Sequence, residues 1–317
     1  MTFSQQVKSE IVKSVRNLQG GNATSFLTAV LKSVGSLSLI ANGFAFTLEG
    51  DNLDLLNLCK NFALSELHAE VSVEAQEPHA KGQQMYTCTF DSSVGEKLGL
   101  TVRDGDGTLT LPENASALIP AEQDRKRSFM QGLFVASGSV VIPLADEEKQ
   151  WSNTLSTKYH LELRFTDEAF ATAVAESYPE LDLHFLSRKS HYVLYLKDSE
   201  KISDFLLYVN ATIASFALTN VIISRSMRND VNRKNNCDIA NISKTVDAAA
   251  KQLAAIAALR EMGQFDGLPD QLKDIAALRE KYPEATLDEL ADMLCISKSG
   301  ASHRLANIID LAQTRKS

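Results

Sequence analysis

Two stretches of this chain, 103 residues apart, carry the same pattern. Residues 25–37 read SFLTAVLKSVGSL, and residues 128–140 read SFMQGLFVASGSV. Most positions between the two are similar in kind, and four are identical: Ser25/Ser128, Phe26/Phe129, Gly35/Gly138 and Ser36/Ser139. If the flanking segments also match, the repeat indicates a tandem duplication, which would determine the fold of everything around it.

The segments after the two copies agree in type and order. After the first copy come a strand-like stretch at 42–50, a helix at 51–67, strands at 69–75 and 84–91, and a helix from 92. After the second come a strand at 158–165, a helix at 166–178, strands at 181–188 and 190–197, and a helix at 198–211. Both halves therefore predict the order αββαββα. We expect a domain over 1–215, with repeats at about 22–110 and 125–211.

The C-terminal third changes in character. A polar, Asn- and Arg-rich stretch over 216–244 predicts a bridge, and 245–317 predicts an all-α domain, so the fold class is α+β. Within that domain the pair Thr286 and Glu289 has the spacing of a capping box, which starts a short helix. Ser297 can cap the next helix, in which Ala301 and Leu305 begin an inward-facing row. This spacing predicts a helix-turn-helix over about 286–309.

The second of these helices favours DNA as its ligand. A recognition helix lies in the major groove and contacts base edges with its N-terminal half. Here the outward-facing candidates are polar or basic rather than acidic: Ser297, Lys298, Ser299, Ser302, His303, Arg304 and Asn307. Arg304 suits phosphate or guanine, while Ser302 and Asn307 are weaker candidates for base contact. Two short amphipathic helices with a purely structural role would show the same spacing.

Charge and composition leave nucleic acid open as a partner. The net charge is −8, which argues mildly against it, but 225–244 and 297–317 each carry a local excess of +3. In the bridge, four basic residues are candidates for phosphate contact, and the alternative is a solvated linker: Arg225, Arg228, Arg233 and Lys244.

The chain begins with an amphipathic, charged segment and has no apolar run long enough to cross a bilayer, so we expect a cytoplasmic, nucleoid-associated protein without membrane contact. The four cysteines are scattered, and no cofactor is predicted.

The repeated motif resembles that of the LAGLIDADG homing endonucleases. In register, Met130–Gly138 overlays the nine motif positions. The resemblance implies a saddle of strands that straddles DNA, and a metal-binding carboxylate at the eighth position of each copy. Those positions hold Val34 and Ser137, neither of which suits a Mg²⁺-like ion. We therefore expect the scaffold of a nuclease without its catalysis.

The chain as a whole resembles the WhiA family of bacterial regulators. The most distinctive stretches are VNRKNNCDIANISKTVDAAAKQ at 231–252 and LADMLCISKSGASHRL at 290–305. The resemblance implies a non-enzymatic DNA-binding regulator, a transcription factor linked to sporulation or to cell division and chromosome segregation, in which both domains contribute to binding. Transcription and division proteins are the further partners that it implies. The alternative is a protein-interaction module of the division machinery that contacts DNA incidentally.

Overall fold

The computed structural model describes residues 1–40, 43–77, 84–112, 114–143 and 158–314. The chain divides into two compact units, Met1–Ser224 and Arg225–Ser317.

The first unit contains the predicted duplication. It begins with the helix α1 (Phe3–Ser14). The first repeat consists of α2 (Gly20–Val34), β1 (Ser36–Ile40), β2 (Gly43–Gly50), α3 (Leu53–Leu67), β3 (Val71–Ala75), β4 (Tyr86–Phe90) and α4 (Ser93–Lys97). A short hairpin of β5 (Val102–Arg103) and β6 (Leu109–Thr110) follows. The second repeat consists of α5 (Gln123–Ser137), β7 (Gly138–Val141), β8 (His160–Phe165), α6 (Glu168–Ser177), β9 (His184–Arg188), β10 (His191–Leu196) and α7 (Ser199–Tyr208). The order αββαββα is confirmed in both.

The two repeats build equivalent antiparallel sheets. In the described residues their strand orders are β1-β2-β4-β3 and β7-β8-β10-β9, which are the same order in two copies. The helices α2 and α5, which carry the repeated motif, pack directly against each other. Phe26 and Phe129 occupy equivalent core sites, since each meets a phenylalanine of the next helix edge to face: Phe62 at 5.9 Å and Phe170 at 6.3 Å between ring centroids.

The repeated glycines end the two motif helices for a steric reason. Gly35 and Gly138 are the C-cap residues of α2 and α5, and both are extended. A Cβ on Gly35 would lie 2.4 Å from the carbonyl oxygen of Leu31, and one on Gly138 would lie 2.6 Å from that of Phe134. Such distances are too short for any side chain, so the sharp passage from helix to strand requires glycine in both copies.

A carboxylate of α1 caps the N-terminus of the longest helix described, α8 (Thr212–Glu261). The two oxygens of Glu10 accept hydrogen bonds from the backbone N–H groups of Ile213 and Ala214, at 2.7 and 3.0 Å. These N–H groups have no partner within the helix, and the negative charge interacts favourably with the helix dipole.

Helix α8 differs from the predicted arrangement. The sequence predicts a polar bridge over 216–244 before an all-α domain that begins at 245, but in the structure the bridge and the start of that domain belong to one helix of 50 residues. The boundary between the two units falls inside this helix, after Ser224. The physical reason is that residues 212–261 contain neither glycine nor proline. Arg favours a helix almost as strongly as Ala does, and each Asn costs only about 0.5 kcal/mol relative to Ala. The helix ends shortly before Gly263, which has a left-handed φ of +68°.

The second unit has its own core. Besides its part of α8 it contains α9 (Asp270–Lys281), α10 (Leu287–Met293) and α11 (Lys298–Thr314). Pro269 is the N-cap of α9. All four helices contribute fully buried side chains, among them Ile256, Leu259, Ile275, Leu290, Leu305 and Ile308.

Candidate nucleic-acid interface

Helices α10 and α11 form the predicted helix-turn-helix. The capping box is present: the Glu289 carboxylate accepts a hydrogen bond from the backbone N–H of Thr286 at 2.7 Å, and Thr286 Oγ1 accepts one from the N–H of Glu289 at 3.3 Å. The hydrogen bonds from the backbone and side chain of Thr286 hold the pKa of the Glu289 carboxyl below its ordinary value. Ser297 caps α11, since its Oγ accepts the N–H of Gly300 at 3.1 Å.

The turn and the inward face agree with the sequence pattern. Cys295 has a left-handed φ of 52°, which reverses the chain between the helices. Ile296, directly after the turn, packs against the core. Ala301 is completely buried, and the small side chain lets α11 approach its neighbours closely. The backbone geometry of this pair is thus set by a cap, a tight turn and a small contact residue.

A buried arginine joins α9 to the segment that leads into α10. Arg279 is only 1% exposed, and its Nη1 donates hydrogen bonds to the carbonyl oxygens of Ala285 and Pro283, at 2.6 and 3.3 Å. Burial lowers the pKa of the guanidinium, which nonetheless stays charged at any ordinary pH. The carbonyl contacts fix where the chain enters the capping box.

The predicted contact residues divide into two groups. Ser297, Lys298, Ser299, Ser302 and His303 are exposed. Arg304 and Asn307 are half-buried, although the sequence predicts them on the outward face. These two lie at the side of α11 that turns toward α9, which explains their partial burial.

Three contacts organise the exposed group. Lys298 Nζ forms an ion pair with the Asp288 carboxylate of α10 at 2.7 Å. The hydroxyls of Ser297 and Ser299 lie 3.0 Å apart. The Asn307 amide nitrogen lies 3.3 Å from Nδ1 of His303. The structure therefore pairs Lys298 with an acid that the sequence analysis did not identify, because residues ten apart meet only across the turn.

A groove runs between α9 and the N-terminal half of α11. Its walls are Pro269, Gln271 and Leu272 on one side and, on the other, Ser297, Ser299, Gly300, His303, Arg304 and Asn307. Among the described residues, no acid forms an ion pair with Arg304. Gln271 is a candidate contact residue that sequence reasoning missed, since no local pattern relates the start of α9 to α11.

The basic residues of the former bridge lie along α8. Arg225 is half-buried, whereas Arg228, Arg233 and Lys244 are exposed. Arg233 forms an ion pair with Asp230 one turn earlier, at 2.5 Å. Two further cations counted in the local charge excess, Arg315 and Lys316, lie outside the described residues. The structure places the four α8 residues on one helix, and their role stays a prediction.

Neither of the two motif positions that would carry a metal-binding carboxylate has one. Val34 is 44% exposed at the end of α2. Ser137 at the end of α5 donates its hydroxyl to the carbonyl oxygen of Leu133 at 3.2 Å. Over the ranges that the structure describes, there is no group of three or more His, Cys, Asp or Glu side chains that could hold a metal ion.

One acid does lie across from the second motif. Glu162 on β8 pairs in register with Ser139 on β7, and its side chain is 6% exposed. Its carboxylate accepts hydrogen bonds from Arg164 at 2.8 Å and contacts His160 at 3.1 Å. Burial raises the pKa of the Glu162 carboxyl, but these hydrogen bonds outweigh burial and lower the pKa below its ordinary value. The negative charge of Glu162 is thus balanced by Arg164 on the same strand.

None of the described helices is both long enough and apolar enough to span a membrane.

Two family models match the chain. The model described as the WhiA LAGLIDADG-like domain matches residues 126–228, and the model described as the WhiA C-terminal HTH domain matches residues 231–312. The matched ranges contain the second copy of the motif and the helix-turn-helix. The predicted α+β fold class is confirmed.

Relatives cover the whole chain. A probable cell division protein WhiA of Enterococcus faecalis is 32% identical over 320 residues, which span 99% of this chain and 98% of the relative. The protein of the same name from Staphylococcus aureus is 32% identical over 319 residues, 98% of this chain and 96% of its own. Among solved structures, full-length DUF199/WhiA of Thermotoga maritima has a TM-score of 0.55 at 21% identity and covers 99% of both chains, which supports the fold. This chain belongs to the WhiA family.

Proposed function

We propose that this WhiA-family chain is a non-enzymatic regulator that binds double-stranded DNA with sequence preference through its helix-turn-helix. The observation that carries the proposal is the position of Arg304. Its guanidinium lines an open groove in the N-terminal half of the second helix, without an acid to neutralise it among the described residues. A half-buried arginine in that position suits phosphate or a guanine edge, both of which accept its hydrogen bonds.

The surrounding side chains suit the same ligand. Ser302 and Asn307 are the candidates for base edges, and Ser297, Ser299 and His303 line or flank the groove with further donors. Lys298 would reach a phosphate when it leaves Asp288. The basic residues of α8 are the proposed second phosphate-binding set: Arg225, Arg228, Arg233 and Lys244. Together these cations form local basic patches on a chain whose net charge is −8.

We further propose that the bound sites lie in genes, so that the chain regulates transcription linked to cell division, chromosome segregation or, where it occurs, sporulation, and that it associates with the nucleoid. The relatives are named as cell division proteins, which supports the division link. The duplicated domain would act as an auxiliary surface for DNA or for transcription or division proteins.

The non-enzymatic part of the proposal rests on the motif. Two-metal hydrolysis of a phosphodiester needs carboxylates that converge on the ions. Val34 and Ser137 supply none, and Glu162, the acid across from the second motif, is held by Arg164 and His160.

A second candidate function is a protein-interaction module of the division machinery, with incidental DNA contact. The net charge of −8 favours it, because a chain with this excess of acid is repelled by DNA except at local basic patches.

The test is binding of labelled genomic fragments by the full chain over a salt series, with Mg²⁺ present and the DNA then examined on a denaturing gel. Selective binding that weakens steeply with salt, with uncut DNA, is the expected result. Binding without preference among fragments would favour the interaction module. Cuts that require Mg²⁺ would refute the non-enzymatic assignment.

A further inference from the structure

The middle of α8 is exposed on every side. In the part of the chain that the structure describes, residues 226–244 all lie at the surface. Five large apolar side chains here and in the next turn are more than half exposed, namely Met227, Val231, Ile239, Ile242 and Val246, at 65, 57, 65, 63 and 56%. The segment also contains five asparagines, at 229, 232, 235, 236 and 241, which favour helix less than Ala or Leu. A helix of this composition needs packing on its apolar face to be stable.

Four of these apolar residues lie on one face of α8, in a row whose residue spacing is the same when it is read from either end. We call it the α8 stripe, and its members are Met227, Val231, Asn235, Asp238, Ile242 and Val246. Their successive spacings are 4, 4, 3, 4 and 4 residues, which is a palindrome. At about 100° per residue all six fall within an arc of about 100°. From either end, the stripe has two apolar residues, two polar ones and two apolar ones.

This symmetry identifies the occupant as a second copy of the chain. If a second α8 lies antiparallel, with the two-fold axis between residues 236 and 237, Val231 faces Ile242 of the second copy and Met227 faces Val246. An isologous interface must complement itself under a two-fold axis, and a palindromic stripe does so.

The polar centre offers two hydrogen bonds between the copies in the antiparallel orientation. In that arrangement the Asn235 amide faces the Asp238 carboxylate of the second copy, twice about the axis, and donates to it. A parallel pair in register would place Asp238 against Asp238, and two carboxylates in contact repel. Buried polar residues fix helix orientation in this way in other helix pairs.

The charged residues beside the stripe are compatible with the same arrangement. Asp230 and Lys244 lie more than about 100° from the centre of the stripe, so both stay in solvent. Lys234 lies opposite Ile239, whose apolar surface the lysine stem can cover while its ammonium reaches solvent.

We infer that the chain forms a dimer in which the α8 stripe pairs antiparallel with that of a second copy. The inference goes beyond the proposed function and does not rest on it, because it depends on α8 alone.

The first test is sedimentation equilibrium of the full chain, up to about 100 μM, where a micromolar Kd gives mostly dimer. Ile242→Glu should raise the dimer Kd more than about tenfold, since it places two charges in the apolar part of the interface. Asn236→Glu adds the same charge to an exposed site off the stripe and should leave the Kd within about threefold. Circular dichroism checks that both variants stay helical. A wild-type chain that is monomeric at the highest concentration, or equal effects of the two variants, would overturn the inference.

Orientation is tested by cross-linking in a chain whose exposed native thiols are removed by Cys237→Ser and Cys295→Ser. Two proteins are made, one with Val231→Cys and one with Ile242→Cys, and they carry tags of different size. Each protein is oxidised alone, and a mixture of the two is oxidised in a third sample. The antiparallel pair predicts a disulfide-linked product only in the mixture. A product from Val231→Cys alone would indicate parallel helices, and an unlinked mixture would indicate that another surface or another protein covers the stripe; either result contradicts the inference.

Discussion

Gly132 of α5 lies against the carbonyl oxygen of Phe26 in α2, so closely that a Cβ on the glycine would be 2.5 Å from that oxygen. The same Cβ would lie 2.9 Å from Cβ of Ala29, the residue at the equivalent position of the first repeat. The two motif helices therefore touch through their backbones at this point. The close crossing is one of the contacts that join the two repeats in a common core.

Gly132→Ala should destabilise the first unit. The backbone of α2 cannot yield as a flexible side chain does, so we expect a loss of about 1–3 kcal/mol, partly offset by about 1 kcal/mol of helix propensity. Urea unfolding of the full chain, followed by circular dichroism, measures it. Gly21→Ala is the matched control, because the Cβ there would meet only the flexible end of Arg125. Equal stability of the two variants would mean that the helices can separate at little cost.

Arg304→Ala should weaken DNA binding without unfolding the second unit. Loss of one phosphate or base contact from arginine raises Kd by about tenfold. If the contact is to phosphate, the slope of log K against log salt becomes shallower by about 1, because the variant neutralises one phosphate fewer. Fluorescence anisotropy over a salt series distinguishes the two cases. A large fall in melting temperature would instead assign Arg304 to the core.

Asp288→Asn should strengthen DNA binding. The Asp288 carboxylate holds Lys298 at 2.7 Å, and both side chains are more than half exposed, so the pair contributes little to stability. Without the acid, Lys298 is available to a phosphate and one repulsive charge is removed. We expect a lower Kd at low salt and a steeper salt dependence. Lys298→Ala measured alongside should do the opposite, and an unchanged Kd in both variants would place this end of α11 away from DNA.

The capping box makes the helix-turn-helix sensitive to acid. Hydrogen bonds from Thr286 lower the pKa of Glu289 below its ordinary value near 4.5 in the folded state. The stabilisation is therefore complete above pH 4.5 and is lost as the pH falls through the lower, folded-state pKa. Glu289→Gln keeps the cap but does not titrate. The melting temperatures of wild type and variant should differ by less at pH 3 than at pH 6, and a difference independent of pH would contradict the assignment.

Much of the fold follows from local pattern. The repeated motif, the alternation of the strands and the spacing of apolar residues place the elements from β2 to α4 and from β8 to α7 within a few residues of their observed bounds, because these signals depend on neighbours in the chain. No separate bounds are predicted for β1 and β7, which follow directly on the motif helices. The Thr286–Glu289 box and the Ser297 cap are local too, and both are confirmed. The polar character of 216–244 was misleading, since polarity alone does not stop a helix that lacks glycine and proline.

What the sequence determined by itself is therefore everything set by contacts within a few residues: the duplicated αββαββα order, the helix-turn-helix and the missing acids at Val34 and Ser137. The tertiary structure alone decided which residues share the groove, that Arg304 is half-buried beside Gln271, and that Asp288 holds Lys298. These relationships join side chains on different helices. Their distances depend on how the second core packs, and no periodicity along the chain encodes that packing.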